Sequence, residues 1–270
     1  MHEPDLRTRA TAPALPGDQL RNCASYYSGY GRREDGAGAL LYRSGLEHPL
    51  YNGVLRWRGT DGTDGTDGTD GTDGAGAAVT AAGSRLAGLP WFWWVGPDSD
   101  EGVRDALRAR GAVPAGRMPV MGAAIRERPV TTPVEGVDVV RVRTPQDLTR
   151  WAQAYARAFG IEERLTLPAE RGRPPAEPLV RFSARAGDRV VGTAALLPAH
   201  GVAGVYVVST HPEHRGRGIG TLMSQTVLQA GFDAGLRVAT LQASEQGEPL
   251  YRRLGFEEWT AYELFTLPAR

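Results

Sequence analysis

Residues 207–221 read Val-Val-Ser-Thr-His-Pro-Glu-His-Arg-Gly-Arg-Gly-Ile-Gly-Thr, and here residue type and spacing point to chemistry. The apolar run before this stretch predicts a strand over 202–209, and the spacing after it predicts a helix over 218–234. A helix start exposes unpaired N–H groups and the positive end of the helix dipole, which together make an anion site. Gly216, Gly218 and Gly220 let the backbone bend there and let a phosphate approach with no Cβ in its path. Arg215 and Arg217 add positive charge at the same point. The physics predicts a dianionic phosphate ligand on the turn 215–221.

Two familiar phosphate loops fail on their own requirements. A nucleoside-triphosphate loop needs Gly-Lys-Ser/Thr, and the chain contains no lysine. A dinucleotide fingerprint needs Gly-x-Gly-x-x-Gly with an acidic residue about twenty positions on, a spacing that Gly216, Gly218 and Gly220 do not have. What the turn resembles is the signature of the GNAT acyltransferase superfamily, Arg/Gln-x-x-Gly-x-Gly/Ala, which Arg215, Gly218 and Gly220 satisfy. A second element of that family normally reads Asn-x-x-Ala-x-x-Leu-Tyr-x-x-x-Gly-Phe. This chain has Ser244, Gly247, Leu250, Tyr251, Gly255 and Phe256 in those places, at the right distance downstream. On the two elements together, residues 137–270 are identified as a GNAT acyltransferase domain.

The resemblance implies acetyl-CoA as co-substrate and no metal. It implies that the main chain of Val208, Ser209 and Thr210 pairs with the pantetheine arm like an added strand. The N–H groups of Arg215, Gly216, Arg217, Gly218, Ile219, Gly220 and Thr221 would then hold the diphosphate. Tyr251 stands where the family often places a general acid aimed at the departing thiolate, a role worth about a hundredfold or more in rate; its bland alternative is a core aromatic. Ser244 replaces the usual Asn, which weakens the expectation for that position.

Attack by a neutral amine on a thioester also needs a base and an oxyanion donor. The donor expected is the N–H of Val208 or a neighbour. Base candidates are Tyr206 acting through water, Glu162 and Glu163 on the segment that covers the acceptor in this family, and His200, each with a structural alternative: a solvated helix end for the glutamates, a turn for His200. His211 and His214 flank the phosphate turn as surface residues or weak phosphate neighbours.

The elements that must position these groups form a second α/β series in the chain. It runs as a strand over 137–142, a helix over 145–159 with Thr144 as cap and Pro145 at its first position, strands over 179–186, 189–197 and 202–209, the helix at 218, a strand over 237–242, a short helix over 248–254, and strands over 256–259 and 261–266. Residues 170–178 read as proline-rich loop. Residues 129–136, which contain Pro129 and Pro133, read as the linker.

The first part, 1–128, is a smaller α/β unit with strands over 53–57, 91–95 and 118–125 and a helix over 98–110. It has no Arg-x-x-Gly-x-Gly turn, yet its order resembles the degenerate first domain of tandem GNAT proteins. The fold class expected is therefore α/β, as two tandem GNAT-like domains, each a twisted, mostly antiparallel sheet flanked by helices. Trp91, Trp93 and Trp94 belong to a core or, alternatively, line an acceptor pocket. Residues 60–78 begin with Thr-Asp-Gly repeated five times and have almost nothing to bury, which predicts a disordered loop.

Composition bounds the rest. The 31 basic and 31 acidic side chains cancel over 270 residues, so total charge favours neither nucleic acid nor an anionic membrane. One cysteine, Cys23, cannot form an internal disulfide and reads as a passive thiol. The first twenty residues lack the apolar run of a secretory signal, and a cytoplasmic location is expected. The Gly, Ala, Arg and Pro bias suggests a GC-rich bacterial genome. The expected partner is a small-molecule amine; homodimerisation is left open. Two alternatives to N-acetylation stand beside it: a GNAT scaffold serving as a coenzyme A sensor, hydrolase or decarboxylase, and an aminoacyl-tRNA-dependent transferase.

Overall fold

The computed structural model describes residues 16–36, 38–59, 71–175 and 178–267. In chain order the elements are α1 (Pro16–Ser28), β1 (Arg32–Gly36), β2 (Ala39–Arg43), β3 (Asn52–Trp57), α2 (Gly71–Arg85), β4 (Phe92–Val95), α3 (Val103–Ala109), β5 (Val113–Ala124), β6 (Asp138–Arg141), α4 (Pro145–Phe159), α5 (Glu163–Arg171), β7 (Val180–Ala186), β8 (Arg189–Ala199), β9 (Val202–Thr210), α6 (Ile219–Asp233), β10 (Val238–Gln242), α7 (Glu248–Arg253) and β11 (Glu257–Thr266). No helix among the described residues is long and apolar enough to cross a membrane.

Two compact units emerge, and they do not follow the expected cut at 129–136. One contains Met1–Ser25 and Val120–Trp259; the other contains Tyr26–Pro119 and Thr260–Arg270. Each ends on a strand borrowed from the other part of the sequence. The end of β5 pairs antiparallel with β10 in the first unit, and the end of β11 pairs antiparallel with β4 in the second. The sequence 126–136 is also no free linker. Gln225, Gln229 and Asp233 repeat every four residues along one face of α6. They hold the segment through Thr132 N–H to Gln225 Oε1 (2.8 Å), Gln229 Nε2 to Pro129 O (3.1 Å) and the Arg128–Asp233 pair (2.8 Å).

The strand order in the first unit is β5-β10-β9-β8-β7-β6, antiparallel except for the parallel pair β9 and β10. Helices cover both faces, and two adjacent residues show it. The methyl of Ala203 faces α6, since a Cβ built on Gly231 would strike it. A Cβ on the next residue, Gly204, would collide instead with Asn22 of α1. Neighbouring strand residues point to opposite faces, so α6 and α1 lie on opposite sides of β9. The α6 side carries a core of Met121, Ala194, Leu196, Ala203, Val205, Ile219, Met223, Val227, Ala239 and Leu241. On the other side Asn22, fully buried, donates to the carbonyls of Leu197 (3.0 Å) and Ala199 (2.9 Å), tying α1 to the β8–β9 hairpin.

Local signals explain α4. Thr144 and Asp147 form a reciprocal capping box, Pro145 takes the first turn, and Gly160 closes the helix with φ +68°. The Asp147 carboxyl is held below its usual range, first by the Thr144 hydroxyl bond and further by Arg185 at 2.6 Å. Residues 163–171, next to the expected proline-rich loop, are helical (α5) despite Pro168. Buried Glu170 anchors them through Arg181 (2.6 Å).

The second unit orders its strands β1-β2-β3-β4-β11, with β3 and β4 parallel and the rest antiparallel. Trp93 packs with Val54, Trp57, Ala78, Val79, Ala82 and Leu107, whereas Trp94, on the opposite face, meets Tyr27 and Tyr262. All three tryptophans of 91–94 are buried within this unit. Within the stretch 60–78 expected to be loop, 60–70 lie outside the described residues and 71–78 are helical. Ala75 and Ala78 of α2 are small enough to seat it against this core. The helix expected over 98–110 is shorter, beginning only after Gly102 with φ +86°. Both units share one order of elements: an antiparallel pair, a helix, a strand returning parallel to the second of the pair, and a short helix. It is β8-β9-α6-β10-α7 in one and β2-β3-α2-β4-α3 in the other.

Candidate active site

The parallel contact between β9 and β10 is short. Ala239 pairs with Ala203 and Thr240 with Gly204, and no register continues beyond Thr240. From Tyr206 onward β9 therefore has no paired partner on its β10 side, and the two strands part. At that point β9 bulges. Thr193 opposes Ser209 and Ala195 opposes Tyr206, so Ala194 alone faces Val207 and Val208. Val207 has φ +51°, a region β-branched residues avoid at a cost of about 1–3 kcal/mol. Thr193 holds it: its hydroxyl donates to Val207 O at 2.7 Å and lies 2.7 Å from Ser209 Oγ. The bulge turns main-chain groups of Val207 and Val208 out of the ladder, where a ligand strand can take them.

Past β9, a single 3-10 turn at Pro212–His214 leads into the glycine turn. Gly216 and Gly218 have φ of +75° and +84°. Nothing lies within 4 Å of a Cβ built on Gly216, and only Val134 lies near one on Gly218. Gly218 caps α6 without a side-chain bond. The first bond of α6 runs from Leu222 N–H to Gly218 O, which leaves the amides of Ile219, Gly220 and Thr221 with no intrahelical partner. Arg217 is exposed beside them. Arg215 is partly committed elsewhere, since its Nη2 donates to Ala158 O at the end of α4 (3.2 Å). Thr210 and Leu250 approach Gly220.

Tyr251, on α7, is 8% exposed and packs edge-on against Phe256. Burial pushes its phenol well above the usual tyrosine range, so the hydroxyl stays protonated. Ser244 is exposed and caps the turn before α7, accepting from Gly247 N–H (3.2 Å).

The base candidates fare differently. Tyr206 is buried, and its hydroxyl donates to Asn22 Oδ1 at 2.7 Å. Glu162 is exposed and paired with Arg164 (2.8 Å), and Glu163 pairs with Arg157 (2.7 Å). His200 sits in the β8–β9 turn with φ +56°, its Nε2 2.8 Å from Ser25 Oγ. His211, Glu213 and His214 offer ligand atoms within 4.8 Å of one another. The Arg189 guanidinium already bridges that group, 2.8 Å from His211 Nε2 and 3.1 Å from Glu213 Oε2. The imidazole of His211 is held below its usual pKa by burial and then by Arg189. Sequence reasoning missed Thr193 and Asn22, which touch the site's strand from 14 and 184 residues away.

Residues 139–259 match the Acetyltransferase (GNAT) domain family. This segment is a GNAT acetyltransferase domain. The chain is 30% identical to the mycothiol acetyltransferase of Thermobifida fusca (strain YX), in a match covering 58% of this chain. The chain spans about half of that relative's length, 53%. The fold is shared with a GCN5-related N-acetyltransferase from Kribbella flavida, at a TM-score of 0.68 and 16% identity over 93% of this chain and 96% of that one. It is also shared with a tandem GNAT protein from the clavulanic acid biosynthesis pathway, at a TM-score of 0.60 and 16% identity over 86% and 78%. The open glycine turn and the parted strands both lie within this segment.

Proposed function

We propose that the protein transfers an acetyl group from acetyl-CoA to the amine of a small molecule. The observation that carries this reading is the parting of β9 from β10 beside a bulge, directly upstream of a helix whose first amides are unpaired. When bound, acetyl-CoA supplies an acyl group activated as a thioester. The chain's own groups do the rest. Amides of Gly216 to Thr221, with Arg217, hold the diphosphate. The main chain of Val208, Ser209 and Thr210 pairs with the pantetheine arm, as an added strand would. The amine attacks as the free base and loses its proton to water as the C–N bond forms and the C–S bond breaks. The N–H of Val208 or a neighbour meets the oxygen that gathers charge, and Tyr251, kept neutral by burial, gives its proton to the departing thiolate. The relative named as a mycothiol acetyltransferase supports acetyl as the group transferred.

The second unit, on this reading, is a copy of the same fold that has lost the cofactor. Its β3–α2 link, the counterpart of the glycine turn, carries four aspartates, whose charge opposes a diphosphate.

The experiment is calorimetric titration with acetyl-CoA followed by thiol-release assays with a panel of small amines. Binding with turnover is expected. Binding without thiol release from any amine would favour a coenzyme A sensor instead. The Thr193 clamp adds a further expectation. Thr193→Val strands the Val207 carbonyl, and kcat/KM should fall roughly tenfold with a stability loss of about 1–3 kcal/mol, read from steady-state rates and urea melts.

A further inference from the structure

Gln242, the last residue of β10, has both side-chain amide atoms buried, and neither has a hydrogen-bond partner. Buried polar groups are nearly always bonded, so an orphaned carboxamide asks for an explanation. Its direction is fixed by register. Thr240 is opposite Gly204, whose missing Cβ points at Asn22, and Gln242 lies two residues on, on the same face. Ala239 and Leu241 point the other way, into the α6 core. Gln242 therefore stands on the α1 side, just beyond the last parallel pair, where β9 and β10 have parted. The α6 N-terminus, with its unpaired amides, belongs to the opposite face.

We infer that Gln242 is a specificity residue for the acyl acceptor, reading an uncharged hydroxyl or amide next to the amine. A carboxamide offers two donors and an acceptor and no charge. The polar side chains of this face that lie along β9 are also uncharged, Thr193, Tyr206, Ser209 and Asn22, and Arg181, across Ala195 on the same face, is already paired with Glu170. Such a surface would leave a charged substituent unpaired and costs nothing to a hydroxylated one. A diphosphate ligand gripped at α6 approaches the parted strands from one face, which leaves the Gln242 face to the acceptor. This inference rests on the acetyltransferase reading.

The test uses the full chain, Gln242→Leu, and two amines at saturating acetyl-CoA: D-glucosamine, with hydroxyls beside its amine, and cyclohexylamine, without them. The variant should lose about tenfold to a hundredfold in kcat/KM on glucosamine and less than about threefold on cyclohexylamine. Its acetyl-CoA affinity should match the wild type. Without ligand it should melt about 2–4 °C higher, because an unbonded amide gives way to an apolar side chain. A lower melting temperature would mean that the amide holds a structural water and would overturn the inference. Equal losses on both amines, or no turnover of glucosamine by a wild type that binds acetyl-CoA, would overturn it as well. Failure of the wild type to bind acetyl-CoA would instead bring down the acetyltransferase reading itself.

Discussion

Gly218→Glu is expected to weaken acetyl-CoA binding by at least about a hundredfold, measured by calorimetry. Three costs add at this position. The residue has φ +84°, which a side chain adopts only under strain. The new side chain projects from the cap of α6 into the path a phosphate takes to the amides of Ile219, Gly220 and Thr221. Its carboxylate then faces the diphosphate, and like charges held together cost several kcal/mol, each 1.4 kcal/mol being tenfold in affinity. Gly218→Ala separates the terms: it keeps the strain but adds no charge, and it should lose about tenfold or less. Undiminished binding by the glutamate variant would move the cofactor off this turn.

Tyr251→Phe should lower kcat by about a hundredfold while the KM for acetyl-CoA stays within about twofold. Removing one hydroxyl leaves the ring against Phe256 and the Leu250–Gly220 approach intact, so cofactor binding has no reason to change. The raised phenol pKa adds a signature. Folded-state ionisation lies above that of free tyrosine, so the acid stays loaded through the neutral range and well into alkali. The ratio of wild-type to variant rates should then be flat between about pH 6 and 9, and any alkaline decline in that window belongs to another group. A variant as fast as the wild type would return Tyr251 to a packing role.

Much of this is legible in the amino-acid sequence. The boundaries of α4 follow from Thr144, Pro145 and Gly160, and the start of α6 from the glycines before Ile219, because capping and turn chemistry are local. Less legible features rest on partners far away. Val207 is a poor choice for positive φ and gives no hint of a bulge; only Thr193, across the hairpin, makes it tenable. Tyr206 reads as a base candidate until its hydroxyl is found on Asn22, in a helix the periodicity of the first residues did not reveal. Glu170 sits in a segment whose prolines signal loop, yet a buried pair with Arg181 outweighs that signal and holds α5. Gln242 looks like any polar strand end, and nothing in its neighbours tells that its amide is left unbonded.

The exchange of β5 and β11 has a consequence for how the chain can be divided. A polypeptide beginning at Val137 would keep every signature residue of the acetyltransferase domain. It would nonetheless lose the strand that lies along β10 and the asparagine that Tyr206 and the β8–β9 hairpin lean on. The bared strand would offer its backbone to any passing chain. Because of that trade, a cut at this point opens an edge in both sheets: β10 loses β5, and β4 loses β11.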